Sequence, residues 1–213
     1  MPLLQAARRL RYGKPIVVVS GLPRSGTSLA MKMLAAGGMS TVTDGVRGAD
    51  EDNPGGYFED ERVKELASGA ATNWLADTRG KAIKIVSSLL QFLPPAYSYK
   101  VIFMDRDLDE VLASQAKMLA RRGEATEVSD ERLRTLYAQH LDKVLFQLRF
   151  RRCFEHVVLP YSTVLADAPG CAERIAAFVD LKLDVPAMAA VVDRRLYRNR
   201  SAVSTLAEPR GVE

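Results

Sequence analysis

A phosphate-sized anion needs backbone N–H groups aimed at it, a cation beside it and a chain that turns tightly around it. The string Gly21-Leu22-Pro23-Arg24-Ser25-Gly26-Thr27-Ser28 supplies all three. Its two glycines permit the turn, Arg24 provides the cation from inside the loop, and Thr27 and Ser28 open a helix whose first N–H groups have no intrahelical acceptor. Loops that hold a nucleoside triphosphate place a lysine where this chain has Thr27, and that lysine reaches the β- and γ-phosphates while the next hydroxyl holds magnesium. Its absence argues against ATP or GTP hydrolysis and leaves a cradle for a smaller anion.

The elements on either side of the loop are those that would hold it in place. Ile16 to Val19 form an unbroken β-branched run, the pattern of a strand buried on both faces of a parallel sheet. After the loop, Leu29, Met33 and Leu34 recur at helical spacing up to a Gly37-Gly38 stop. Residues 37 to 56 read as a long acidic active-site loop, and a helix is expected from near Asp60 toward Trp74. Further strands are expected at Ala82 to Val86, at Tyr99 to Met104 after the Pro94-Pro95 turn, and at Val157 to Leu159. Asp107 is a good N-cap for a helix carrying Leu108, Val111, Leu112, Met118 and Leu119. A long helix is predicted from about Asp130 to Arg151, with Leu133, Leu136, Tyr137, Leu141, Val144, Leu145 and Leu148 as its apolar stripe, and another lies around Ala172 to Val179. Strands alternating with helices predict an α/β fold with a parallel sheet and right-handed crossovers.

Composition sets the outer limits. The 213 residues are 47% hydrophobic and 26% charged, with a net charge of +4, enough for one domain with a substantial core and a mild preference for anionic ligands. No internal repeat or compositional break divides residues 1–213, so a single domain with a core of about 14–200 is expected. No apolar stretch approaches the roughly 20 residues of a membrane span. The first residues, with Arg8, Arg9 and Arg11, lack the apolar run of a signal peptide, so a cytoplasmic protein is expected. The only cysteines, Cys153 and Cys171, form no metal or redox spacing, and His140 and His156 make no metal cluster alone, so no metal is expected.

The P-R-S-G-T-S string after a first strand resembles the sulfotransferase superfamily, whose members carry a P-[KR]-[ST]-G-[TS]-[TS] loop there. A second resemblance lies in Val101 to Ser114, where Arg106 ends a strand and Ser114 follows eight residues later, the spacing with which that family addresses a 3′-phosphate. The string Asn53-Pro54-Gly55-Gly56-Tyr57-Phe58-Glu59 is similar to an N-P-x-G-Y-F-E element of bacterial sulfotransferase-like proteins, and Tyr161, Leu165, Pro169 and Phe178 to Leu181 resemble a later family segment. The resemblance implies a three-layer fold with a central parallel sheet, like that of P-loop nucleoside triphosphate hydrolases. It also implies sulfuryl transfer from 3′-phosphoadenosine 5′-phosphosulfate to a hydroxyl, with adenosine 3′,5′-bisphosphate as product. Arg24, Ser25, Gly26, Thr27 and Ser28 would then hold the 5′-phosphosulfate, Arg106 and Ser114 the 3′-phosphate, and Tyr161 would lie near the adenine.

For catalysis the resemblance points to Lys84, in the strand where related enzymes hold a lysine near the transferring group. Small-molecule members follow that lysine with a histidine base, but this chain has Ile85-Val86-Ser87 there. His140 falls on the long helix stripe, as a packed residue would, and His156 begins a strand. Carbohydrate and protein-tyrosine members use a glutamate after the first helix, a region that here contains Asp44, Asp50, Glu51, Asp52 and Glu59. Asp44 is the first candidate by chain distance from Arg24 and Glu59 the second; each also fits a loop or capping role. The acceptor, a small molecule, carbohydrate or peptide hydroxyl, is not specified, nor is the oligomeric state. The basic C-terminal segment of small-molecule members is replaced by Arg194, Arg195, Arg198 and Arg200, a substitute or a solvated basic face. Two other readings stand beside this one: a non-catalytic module that binds the phosphorylated nucleotide, and an ATP-dependent phosphotransferase with a displaced lysine such as Lys32. Nucleic acid is not an expected partner, because the arginines are not interleaved with a stacking platform beyond Tyr12 and Tyr197.

Overall fold

The structure is a computed structural model, and it describes residues 8–45, 56, 58–123 and 128–193. Candidates at Asp50, Glu51, Asp52, Asn53, Pro54, Gly55, Tyr57 and the arginines from Arg194 to Arg200 lie outside the described residues.

Five parallel strands form one sheet in the order β2-β3-β1-β4-β5: β1 is Ile16–Gly21, β2 Thr41–Val42, β3 Ala82–Lys84, β4 Tyr99–Asp105 and β5 Phe154–Pro160. Every residue of β1 is buried, which explains its unbroken apolar text. Strand alternation sends its side chains to two separate cores. Val17 and Val19 pack with Ala30, Met31, Met33 and Leu34 of helix α1 (Thr27–Ala36), while Ile16 and Val18 pack with Tyr99, Val101, Phe103, Val144 and Leu148.

Three layers result. The first core is closed by α1, by α4 (Tyr161–Ala166), by α5 (Ala168–Val179) and by Met188 of α6 (Val185–Ala190). The second is closed by α3 (Asp130–Phe150) and by residues of the short 3-10 segments. Helix α2 (Leu108–Arg122) connects β4 to α3, and Asp107 caps it, accepting from the N–H groups of Asp109 and Glu110. This is the expected α/β architecture with a central parallel sheet.

The element boundaries differ from expectation in places that have physical causes. The expected helix toward Trp74 is two 3-10 segments, Glu61–Ser68 and Asn73–Thr78, because Gly69 at φ 74 ends the first in a left-handed turn. Thr41–Val42, inside the expected loop, pairs with Ala82 and Ile83 as a two-residue edge strand. Strand β3 stops at Lys84, while β5 extends to seven residues along β4. Leu136 and Leu145 leave the expected stripe of α3 and face solvent, at 51% and 40% exposure.

Candidate active site

Strand order places the two motifs side by side. After β1 the chain leaves toward β2 at one edge, and after β4 it leaves toward β5 at the other, so a crevice opens between the C-terminal ends of β1 and β4. The glycine loop follows β1 and Arg106 follows β4.

The loop conformation is fixed by contacts on both sides. Gly26 is the N-cap of α1 at φ 98, and a Cβ there would sit 2.5 Å from Cδ2 of Tyr161. Gly21 lies so close to Ser25 Oγ and the Met104 carbonyl that a side chain would strike both. Arg24 itself adopts φ 71, a left-handed conformation that costs a non-glycine residue about 1 kcal/mol or more. Arg106 holds it there, donating from Nη1 to the Arg24 carbonyl at 2.9 Å.

That strained turn aims the Arg24 guanidinium back across the crevice, where its Nε donates to Ser114 Oγ at 3.0 Å. Arg106 and Ser114, eight residues apart along β4 and α2, therefore meet the glycine loop through Arg24. Arg106 also stacks over Tyr161, its Cζ 4.5 Å from the ring centroid. Burial raises the Tyr161 phenol above its ordinary pKa, which keeps it protonated and makes it a packing and stacking group rather than a base.

Two features of the loop fit an anion. Among the described residues no side chain caps α1 and none in its first turn is acidic, so none of these offsets the positive end of the helix dipole. Ser25 is 1% exposed, yet its Oγ has no hydrogen-bond partner, an arrangement that normally costs about 1–3 kcal/mol. An oxyanion on the loop would supply that partner. Thr27 and Ser28 are half-buried in the first helical turn.

The carboxylates are brought together beside Lys84. Lys84 aligns with Val19 of β1 and, two residues after Ala82, lies on the face covered by α1. Its Nζ donates to Glu59 Oε1 at 3.1 Å, with both side chains largely shielded. The Glu59 carbonyl accepts from the Asp44 N–H and from Thr43 Oγ1, each at 3.1 Å. Asp44 turns its carboxylate to the start of the 3-10 segment, accepting from the Glu61 N–H at 2.7 Å, and it is exposed. Of the two candidate bases, Glu59 thus reaches the lysine, while Asp44 accepts from the backbone where the 3-10 segment begins, beside its N-cap Asp60.

Two partners were not singled out from the sequence. Glu110 is 5% exposed and accepts from Arg106 Nε at 3.0 Å, a buried pair whose only sequence signal is the i, i+4 spacing. Ser87, three residues beyond Lys84, hydrogen-bonds His140 Nε2 at 2.8 Å. Burial, with Lys143 adding to it, holds His140 below its usual pKa, in keeping with a packed histidine. His156 is exposed on β5, both cysteines are buried thiols, and no group of three metal-ligating side chains occurs among the described residues. No helix among those residues is long and apolar enough to cross a membrane.

Comparison with known proteins separates sequence from fold. No family model and no curated protein sequence matches the chain. Solved structures do match. The sulfotransferase domain of the Synechococcus PCC 7002 olefin synthase superposes with a TM-score of 0.56 at 13% identity, covering 95% of this chain and 92% of that domain. Retinol dehydratase in a complex with retinol and PAP superposes with a TM-score of 0.50 at 17% identity, covering 90% of this chain and 68% of that one. The chain has the sulfotransferase-like α/β fold.

Proposed function

We propose that the protein is a sulfotransferase that takes the sulfuryl group of 3′-phosphoadenosine 5′-phosphosulfate to an acceptor hydroxyl. The observation that carries this reading is the meeting of Arg24, Arg106 and Ser114 on one glycine loop, with Arg24 Nε on Ser114 Oγ at 3.0 Å and Arg106 Nη1 on the Arg24 carbonyl at 2.9 Å. Two guanidinium groups and a hydroxyl around an uncapped helix suit a ligand with phosphate at two positions. The donor supplies an activated sulfuryl group whose transfer to oxygen leaves a phosphate.

The chain's own residues have separable tasks. The loop N–H groups, Ser25 Oγ and Arg24 bind the 5′ end, while Arg106 and Ser114 bind the 3′-phosphate. Tyr161, packed between the loop and Arg106, sets the floor of the nucleotide site. Lys84 neutralises charge growing on the leaving oxygen, and Glu59, 3.1 Å from it, takes the acceptor proton as the new bond to sulfur forms. The ion pair between them orients both groups before substrates arrive. Asp44 ties Glu59 into place through its N–H.

The test is product formation. Incubation with the donor and a panel of phenols, alcohols, sugars and tyrosyl peptides is expected to yield adenosine 3′,5′-bisphosphate together with a sulfated acceptor, and Arg24→Ala to abolish both. Donor binding without product across the panel would contradict the transferase reading and leave a nucleotide-binding module.

A further inference from the structure

Helix α3 has an outer face that the fold does not use. Phe146 and Phe150 are 63% and 61% exposed, and their rings lie 4.5 Å apart, centroid to centroid. Val144 and Leu148 of the same helix are buried, so the aromatic pair points away from the core. Arg132, Leu136, Gln139, Lys143, Phe146 and Phe150 follow one another at alternating steps of four and three residues, all exposed. Such spacing marks a continuous seam along a helix, of the kind that packs against another helix.

We propose that this seam is the two-fold interface of a homodimer, in which α3 packs antiparallel against α3 of a second copy. A two-fold contact must be self-complementary, residue i meeting j while j meets i. Antiparallel pairing with Leu136 opposite Phe146 meets that condition along the whole seam. The same register sets Arg132 against Phe150, a cation–π pair, and Gln139 against Lys143, whose ammonium can donate to the amide oxygen.

Charge selects the antiparallel orientation. A parallel pair would press Arg132 against its own copy and Lys143 against its own copy inside the seam, two like-charge contacts. Beside the seam, Glu131 stands in the first turn of α3 and Arg149 in the last, both exposed and on the same flank. Antiparallel pairing in the register of Leu136 and Phe146 brings the Glu131 of each copy within two residues, about 3 Å of helix rise, of the level of the other copy's Arg149. Antiparallel helices also bring opposite ends of their dipoles together. Two like-charge contacts remain: Asp142 lies on that flank next to the two-fold axis and meets its own copy, and Arg132 approaches a Phe150 ring over which Arg149 already lies, its Cζ 5.7 Å from the centroid. A seam whose apolar residues pair with one another in one register, with Glu131 brought beside Arg149 on its flank, is the reason a second copy rather than a lipid surface is the occupant. The described chain ends after α6, which packs against Gly37 on the sheet face opposite α3, so its last described residues stand on the far side of the sheet from the seam.

Sedimentation equilibrium of the full chain, from low micromolar to high micromolar concentration, tests the proposal. A reversible dimer is expected. Phe146→Glu and Phe150→Glu should each raise its dissociation constant at least about 30-fold, the scale of an interface hot spot, with far-UV circular dichroism unchanged. Glu131→Arg and Arg149→Glu should each weaken it about two- to fivefold, and the double variant should recover most of the loss. Asp142→Asn should tighten the dimer by a similar factor. A monomer at every concentration overturns the proposal, including one whose seam is covered by its own chain or that binds anionic vesicles through Phe146. A dimer indifferent to both phenylalanine variants overturns it as well.

Discussion

The two ends of one sheet both gather cations, and they use them differently. At the N-terminal edge Arg8 Nε lies 3.2 Å from Glu155, Arg9 lies 3.2 Å from Asp180, and Lys100 donates to the Phe178 carbonyl at 2.6 Å. Arg8 also donates from Nη2 to Ser98 Oγ at 3.1 Å, although its buried Nε has no hydrogen-bond partner among the described residues, and the group fastens the chain before β1 to β5 and the end of α5, and β4 to α5. At the C-terminal edge Arg24 meets a hydroxyl, its backbone is held in a left-handed conformation, and a buried serine hydroxyl beside it has no partner. Parallel strands explain the asymmetry: the helix N-termini and the glycine loop face the C-terminal edge, so only there do backbone dipoles add to the side-chain charge. Cations at both edges pair within the fold, at the C-terminal edge Arg106 with Glu110 and Lys84 with Glu59, but only there do they stand beside helix N-termini and a glycine loop that suit an anionic ligand.

The sharpest way to break this contrast is Arg106→Ala. Arg106 serves both purposes, being paired with buried Glu110 and facing the loop, so its loss removes the cation of a buried ion pair and should cost about 3 kcal/mol or more of stability. Adding Glu110→Gln should restore much of the melting temperature. It should not restore the preference for adenosine 3′,5′-bisphosphate over the 5′-monophosphate, which calorimetry is expected to show reduced at least about tenfold. Restored preference would make Arg106 purely structural.

Next in size is the pair Glu59→Gln and Asp44→Asn. The first should lower turnover about 100-fold or more with donor affinity nearly intact. The second keeps an oxygen that can accept from the Glu61 N–H, so it should cost less than about 0.5 kcal/mol in a denaturant titration, with a smaller effect on turnover. Reversed effects would exchange their assignments. Gly26→Ala sharpens the contrast within the loop: its Cβ meets Tyr161, so nucleotide binding should fall sharply, whereas Gly38→Ala, also at positive φ but with nothing within 4 Å, should cost only about 1 kcal/mol. At the other edge Arg9→Ala removes an exposed pair and should change stability by less than about 0.5 kcal/mol and binding not at all.

The smallest effect concerns His140. Its pKa is lowered in the fold from 6.5, so the unfolded chain takes up the proton first as pH falls, and the stability present above that value is lost below it. The melting temperature of the native protein should therefore drop more between neutral pH and about pH 5 than that of His140→Gln. Equal drops would show that His140 carries no such linkage.

Legibility in the sequence followed the range of the interaction. Strand β1, the loop and the Asp107 cap are local, set by β-branching, glycine and a capping oxygen, and each is readable. The Glu59–Lys84 pair spans 25 residues and depends on β2, whose following residues Thr43 and Asp44 hold Glu59, lying beside β3, which no spacing encodes, so Asp44 comes first by chain distance while Glu59 reaches the lysine. Strand β2 is two residues long, too short for a period. Helix α3 departs from its reading for a different reason: its apolar residues are too many for one face, so reading them as a single stripe places Leu136 and Leu145 in the core.

The most direct test of the central claim is calorimetric titration of the full chain with adenosine 3′,5′-bisphosphate and, separately, with ATP and magnesium. The account predicts binding of the bisphosphate in the micromolar range, about −8 kcal/mol, and much weaker binding of ATP. Binding of ATP with magnesium alone, or of neither ligand, would contradict it.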